Sequence, residues 1–137
     1  MVIWGHVIIS IQGFKYFLTI VDDFSRYIWI ILLHTKFEVC NHILKFITYV
    51  ENQLKTIRTD IDAEFARNYF LSSKDIIHQT TCIEISEQNG IVKRKYQHLF
   101  NVTPALLFQA NLPPLFLDFA MRHAAFLINC IPTSLFA

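Results

Sequence analysis

Apolar residues come in short dense runs separated by polar turns, and their period changes along the chain. "FKYFLTIV" (14–21) is rich in apolar, aromatic and β-branched residues, the pattern of a buried strand. "DDFS" (22–25) interrupts it with side chains that hydrogen-bond the local backbone, and "RYIWIILL" (26–33) then returns. The two runs predict an antiparallel hairpin. Next, Phe37, Cys40, Ile43, Leu44, Ile47 and Val50 recur at helical spacing and predict an amphipathic helix over about 36–53. "KTIRT" (55–59) reads as a short strand ending at Asp60, "AEFARNYFLSS" (63–73) as a helix, and "IIHQTTC" (76–82) as another strand. A polar loop over 83–90 leads into a helix from about 91 to 110, and "LPP" (112–114) separates it from a last helix over about 115–130.

The order β-β-α-β-α-β-α-α combines a hairpin with strand–helix alternation. It predicts an α/β domain, a mixed sheet flanked by helices. A chain of 137 residues suits one such domain, spanning 1–137. Ligands of these sheets gather at the carboxyl ends of strands, which is where Asp60 falls.

Composition narrows the picture. The chain is 53% hydrophobic and 17% charged, with 13 Phe and a positive mean hydropathy, so a sizeable buried interface is expected. Apolar helices pairing as a homodimer would provide one. A membrane span needs about 20 consecutive apolar residues. The longest run here, "YIWIILL" (27–33), stops at seven, so no membrane association is predicted. No basic stretch precedes an apolar one at the start, so no signal peptide is read. Cys40, Cys82 and Cys130 lie 42 and 48 residues apart, which fits neither a zinc site nor a disulfide framework. They are expected as small buried hydrophobes. The six His form no i, i+4 pair and are read as structural or exposed.

Carboxylates are the candidates for chemistry. Asp22 and Asp23 suit the hairpin turn, Asp62 suits a helix N-cap and Glu64 its first turn. Glu84 and Glu87 belong to a solvated loop. Asp60 stands apart, because a carboxylate ending a strand can face a cleft and hold a divalent metal. Two-metal phosphoryl transfer would need further carboxylates on a neighbouring strand and a facing helix. The densest positive cluster, Lys93, Arg94 and Lys95, opens the helix after residue 90. It reads as a solvated face or as phosphate-contacting charge.

Several stretches together resemble the integrase catalytic core of copia-type retrotransposon Pol polyproteins. They are "GFKYFLTIVDDFSRYIWIILLHTKFEV", "LKTIRTDIDAEF", "IIHQTTC", "QNGIVKRK" and "ALLFQANLPP" with "AAFLINCIPTSL", in the family's order along nearly the whole chain. The resemblance implies a ribonuclease H-like fold. It also implies an Asp, Asp, Glu triad binding two Mg2+ or Mn2+ ions for DNA integration, and nuclear localisation if that role persists. The triad carries over only in part. The first Asp precedes Trp-Gly by two residues, a place held here by Val2. The second matches Asp60. The Glu, which follows Asn-Gly and two apolar residues, is replaced by Lys93. The interval from Asp60 to Lys93 is shorter than the family's, and the loop prolines are replaced by Ile83 and Ser86.

The resemblance therefore implies an inactive, degenerate core in which neither ion is held and the Lys93 ammonium pairs with Asp60. The domain reads as truncated at its N-terminal edge and lacking the family's zinc-binding and C-terminal DNA-binding regions. Pro104, inside a predicted helix, adds a cost of about 3 kcal/mol or a kink. Two other readings stay open. One is a retained nucleic-acid-binding or dimerising module in which Arg58, Arg94 and Lys95 contact DNA weakly. The other is an unconventional nuclease built on Asp60.

Overall fold

The computed structural model describes residues 1–5, 9–50, 55–59, 75–80 and 90–132. Three strands, β1 (Val2–Gly5), β2 (Tyr16–Val21) and β3 (Ile28–Leu33), form an antiparallel sheet in the order β1-β2-β3. The predicted hairpin is its centre, with Val21 opposite Ile28 and Tyr16 opposite Leu33. Two further strands, β4 (Thr56–Thr59) and β5 (Ile77–Thr80), pair in parallel. The Met1 amino nitrogen donates to the Arg58 carbonyl at 2.7 Å, which sets β4 beside β1. The predicted helix over 63–73 lies outside the described residues.

Alternation along β2 and β3 sends side chains to opposite faces, and each face has its own core. Leu18, Ile20 and Leu33 pack with Val39, Ile43, Phe46 and Ile47 of helix α1 (Val39–Val50). Ile57 and Ile76 join the same cluster, so apolar burial carries across from the antiparallel strands to the parallel pair. On the opposite face, Phe17, Ile28 and Leu32 meet α2 (Gly90–Gln109) through Leu99, and α3 (Leu117–Cys130) through Met121, Ala124, Ala125 and Ile128. The result is an α/β domain, as the element order predicts, in which the antiparallel sheet lies between helical layers; among the described residues the parallel pair is a second sheet beside it and not a continuation of one mixed sheet.

The outer strand β3 is tied to α3 by one side chain. Asn129 accepts from the Ile28 amide at 2.8 Å and donates to the Ile28 carbonyl at 2.9 Å, satisfying both groups at the edge. Helix α2 ends where Asn111 turns into the left-handed region (φ 52°), with its amide on the Phe108 carbonyl and that of Leu112 on the Leu107 carbonyl. Those two bonds close the last turn in the Schellman manner, and asparagine tolerates the conformation better than most residues.

Four details differ from the sequence reading. Strand β1 is not separable by pattern, being four residues long. Phe37 is 91% exposed, ahead of α1 in a 3-10 turn (Lys36–Glu38), while Val39 and Phe46 join the buried stripe. The helix phase is therefore rotated from the one predicted. Cys130 is exposed and Cys40 half-buried, because the buried stripes of α3 and α1 run through their neighbours; Cys82 lies outside the described residues. Finally, α2 continues through Pro104 as one element. Its ring points to the exposed side, and the preceding Thr103 hydroxyl donates to the Leu99 carbonyl at 2.8 Å.

Proline has no amide for the i−4 carbonyl of Phe100. Pro104→Ala is therefore expected to raise stability by about 1–3 kcal/mol, read as a higher urea midpoint. An unchanged or lower midpoint would mean that α2 has adapted its packing to the ring.

Candidate functional site

Helix α2 lies over β1 because one aromatic pair sets its position. Trp4 and Tyr96 stack at 3.7 Å between ring centroids and 6° between planes, with Phe17 at 5.9 Å from Tyr96 on the strand beside. Burial pushes the Tyr96 hydroxyl above its ordinary value. One turn earlier, Val92 is buried and lines, with Ile91 and Met1, a cleft of about 610 Å³. Its other walls are Ile20 to Asp23 of β2 and its turn, and Thr56 to Arg58 of β4. Of the candidate residues Arg58 lines this cleft, while Val2 and Lys93 are the chain neighbours of Met1 and Val92, which line it.

Val2 sits on β1, 4% exposed, on the face that α2 covers. Its cross-strand partner is Thr19, which is wholly buried and whose hydroxyl has no hydrogen-bond partner among the described residues. Lys93 follows Val92 on α2, is half-buried, and makes no hydrogen bond or ion pair with a described residue. Asp60, with its expected pairing to Lys93, lies outside the described residues, as do Asp62 and Glu64. Thr59, the residue before Asp60, is 1% exposed, and its hydroxyl lies 2.8 Å from Nε2 of His78 on β5. Burial lowers the affinity of that imidazole for a proton. Among the described residues no three His, Cys, Asp or Glu side chains come together as a metal cage.

The positive cluster does not form one patch. Consecutive helical residues step by about 100°, so Lys93, Arg94 and Lys95 fan out around α2. Arg94 is exposed, whereas Lys95 is half-buried and its pKa is lowered by that burial and by the nearby Arg26 guanidinium. Arg26 is held in the left-handed region (φ 61°) at the end of the hairpin turn and bridges to Asp23 at 2.7 Å. Arg58 points from β4 toward Gln79 on β5, donating to its side-chain oxygen at 3.1 Å. Arg26 and Gln79 are thus contributors at this site that sequence reasoning missed, since only tertiary packing brings them there.

The turn itself matches its predicted role. Asp22 accepts from the Ser25 amide at 2.8 Å and the Ser25 hydroxyl at 2.6 Å. Burial pushes the Asp22 carboxyl up, but these bonds, the Phe24 amide and the Arg26 charge outweigh it and hold the group below its ordinary value. A depressed carboxylate stabilises the fold above its unfolded value, about pH 4, and that contribution fades as pH falls through the lower folded value. Asp22→Asn is therefore expected to flatten the decline in melting temperature below about pH 4. A variant with the parent's acid limb would show that the turn contributes nothing to it.

Comparison with known proteins follows the same outline. The chain is 34% identical over 139 aligned residues, covering 97% of its length, to a retrovirus-related Pol polyprotein from transposon RE2 of Arabidopsis thaliana. It is 30% identical over 97% of its length to that of transposon RE1 of the same plant, and 34% over 90% to that of transposon TNT 1-94 of Nicotiana tabacum. The chain spans about a tenth of the length of these relatives. No family model matches it. Among solved structures it resembles the HTLV-2 integrase catalytic core domain, a trimeric form in complex with magnesium, with a TM-score of 0.62 and 24% identity. That match covers 96% of this chain and 86% of the other. A chain of the simian T-cell lymphotropic virus intasome matches with a TM-score of 0.71 and 21% identity, over 96% of this chain and 49% of the other.

Proposed function

We propose, from the premise that this chain is homologous to a segment of the retrovirus-related Pol polyproteins of transposons and folds as an integrase catalytic core, that residues 1–137 are one integrase-core-like domain without two-metal catalysis. The observation that carries this reading is the burial of Val2 across from Thr19, together with the lysine at position 93. Val2 is buried opposite an orphaned hydroxyl, and Lys93 is half-buried next to Val92 on α2. By the resemblance both positions belong to carboxylates. An aspartate in place of Val2 would sit directly across from Thr19, within reach of the hydroxyl that now has no acceptor. The orphaned group supports the view that an acceptor once stood there.

The residues present do not fit a pair of divalent ions. Valine supplies no oxygen ligand, and a lysine brings positive charge where negative charge is needed. The exchange of Glu for Lys changes the local charge by two units, and each unit at 4 Å is worth about 4 kcal/mol at an effective dielectric of about 20. Asp60 by itself does not offset two dications. An unpartnered buried hydroxyl already costs about 1–3 kcal/mol, and the site tolerates it because Val2 contributes core packing instead.

The test restores both carboxylates. Thermal melts of the parent and of the double variant Val2→Asp with Lys93→Glu are compared with and without millimolar manganese. The parent is expected to melt at the same temperature in both. The double variant is expected to gain about 2.7 kcal/mol at 100 times the dissociation constant, a rise of several degrees. A manganese-dependent rise in the parent that disappears in Asp60→Asn would overturn the proposal and restore an Asp60-based enzyme.

A second reading, retained contact with DNA and with other copies of the chain, is supported by the exposure of Arg94 and Arg58 near the same cleft and by Phe100, Phe108 and Phe126 left exposed on α2 and α3. Arg58, Arg94 and Lys95 would neutralise about three phosphates, giving a log–log salt slope of about −3 on duplex DNA. Affinity that does not change between low and high salt would remove the DNA contact. Sedimentation of the same samples as a monomer at tens of micromolar would remove the self-association.

A further inference from the structure

Two cations come together where α2 passes the hairpin turn. Ile91 and Val92 of α2 line the same cleft as Asp22 and Asp23, so the first turn of the helix lies beside the turn of the hairpin. One turn on, Tyr96 reaches Phe17, and Leu99 shares a core cluster with Phe17 and Ile28, which fixes the helix against both strands. Lys95 stands between Val92 and Leu99 on the helix, and Arg26 stands two residues ahead of Ile28. The Arg26 guanidinium is close enough for its charge to add to the effect of burial and lower the pKa of the Lys95 ammonium.

Like charges held together are unfavourable unless a group of opposite sign joins them, and neither cation is fully engaged. Lys95 is half-buried and makes no hydrogen bond or ion pair with a described residue. Arg26 donates from Nη1 to Asp23, whose side chain is 88% exposed, and the other donors of its fork have no acceptor among the described residues. Asp22, the second carboxylate of the turn, is occupied by the Ser25 amide and hydroxyl. The backbone adds an independent sign. Arg26 adopts φ 61°, a conformation that glycine and asparagine enter more readily, and its amide on the Asp22 carbonyl at 3.0 Å keeps it there. A strained residue that holds one cation near another points to a ligand of negative charge.

We infer that Arg26 and Lys95 form a binding site for one phosphate group, with the guanidinium and the ammonium both donating to its oxygens. The planar fork of arginine matches the geometry of a phosphate, and lysine adds a compact point charge, so the pair suits a tetrahedral oxyanion. Lys93 lies about 200° around α2 from Lys95, so the site is separate from the positions that the resemblance gives to metal ligands. It goes beyond the DNA contact proposed above, because it adds Arg26 and holds for a phosphate group either free or in a nucleic-acid backbone.

The test is an NMR titration of the full chain with inorganic phosphate, chloride being exchanged out so that ionic strength stays fixed. Expected are saturable shifts at the Arg26 Nε–H and the Lys95 Cε resonances, with one dissociation constant for both. Arg26→Gly relieves the left-handed backbone, so it is expected to fold at least as well as the parent while binding phosphate about tenfold more weakly. Lys95→Gln is expected to weaken binding to a similar degree, and Lys45→Gln, on the exposed side of α1, to leave it unchanged. A short DNA duplex then distinguishes the sources. Shifts of the same two groups at lower phosphate concentration assign the site to a nucleic-acid backbone, and saturation by inorganic phosphate alone assigns it to a free phosphate or a small phosphorylated ligand. Shifts that rise linearly with phosphate, or that persist in both Arg26→Gly and Lys95→Gln, would overturn the inference.

Discussion

The face-to-face contact between Trp4 and Tyr96 is the constraint on which the rest of this region depends. It joins the shortest-range element of the sheet to the longest helix, and the position of every α2 side chain over the strands follows from it. With the rings in register, Val92 reaches the Met1 end of β1, Leu99 meets Phe17 and Leu32, and Lys95 is brought toward the hairpin turn. Trp4 accepts a cost for this, since its ring N–H is buried without a partner among the described residues. An unpaired buried donor is worth about 1–3 kcal/mol, comparable to what a fully buried large side chain contributes. The stack therefore holds because burial of two aromatic surfaces offsets the lost bond to water.

On the proposed reading, the centre of the fold has changed its physical character. A cluster of carboxylates around a cleft is repulsive until cations arrive, and such sites commonly reduce stability in return for chemistry. Val2 reverses that at one position, because an apolar side chain under α2 adds to the core. The hydroxyl of Thr19 is what the exchange leaves unresolved. It remains in the second strand although the residue across from it offers nothing to accept its proton.

How much of this was legible beforehand varies by element. The hairpin was, because two dense apolar runs around "DDFS" leave few other arrangements, and its turn bonds are those that Asp22 and Ser25 side chains form locally. Helices α1, α2 and α3 were legible in place but less so in phase. Phe37 looked like a core residue from spacing, yet it precedes the helix in a tighter turn, where the 3.6-residue period does not apply. Strand β1 was not visible as a pattern, since four residues are too few to show alternation. The basic run was misleading in another way. Adjacent charges look like a patch in a sequence, but on a helix they diverge, and Arg26, distant in sequence, comes close enough to Lys95 for its charge to act on it. Spatial neighbours of that kind are set by the packing of α2 on the hairpin and leave no local signal.

No ladder joins β1 to β4 among the described residues, although one hydrogen bond from Met1 and the shared burial of Ile57 and Ile76 bring the three-stranded sheet and the parallel pair together. Four-residue parallel strands hold weakly by themselves. The antiparallel sheet, in contrast, is packed against helices on both faces. Cooperativity should therefore be uneven: the parallel pair is a subunit of the fold able to detach at a lower free energy than the rest. Loss of the burial at Ile57 and Ile76 would then release the strand that carries Arg58 before the hairpin and its helices open.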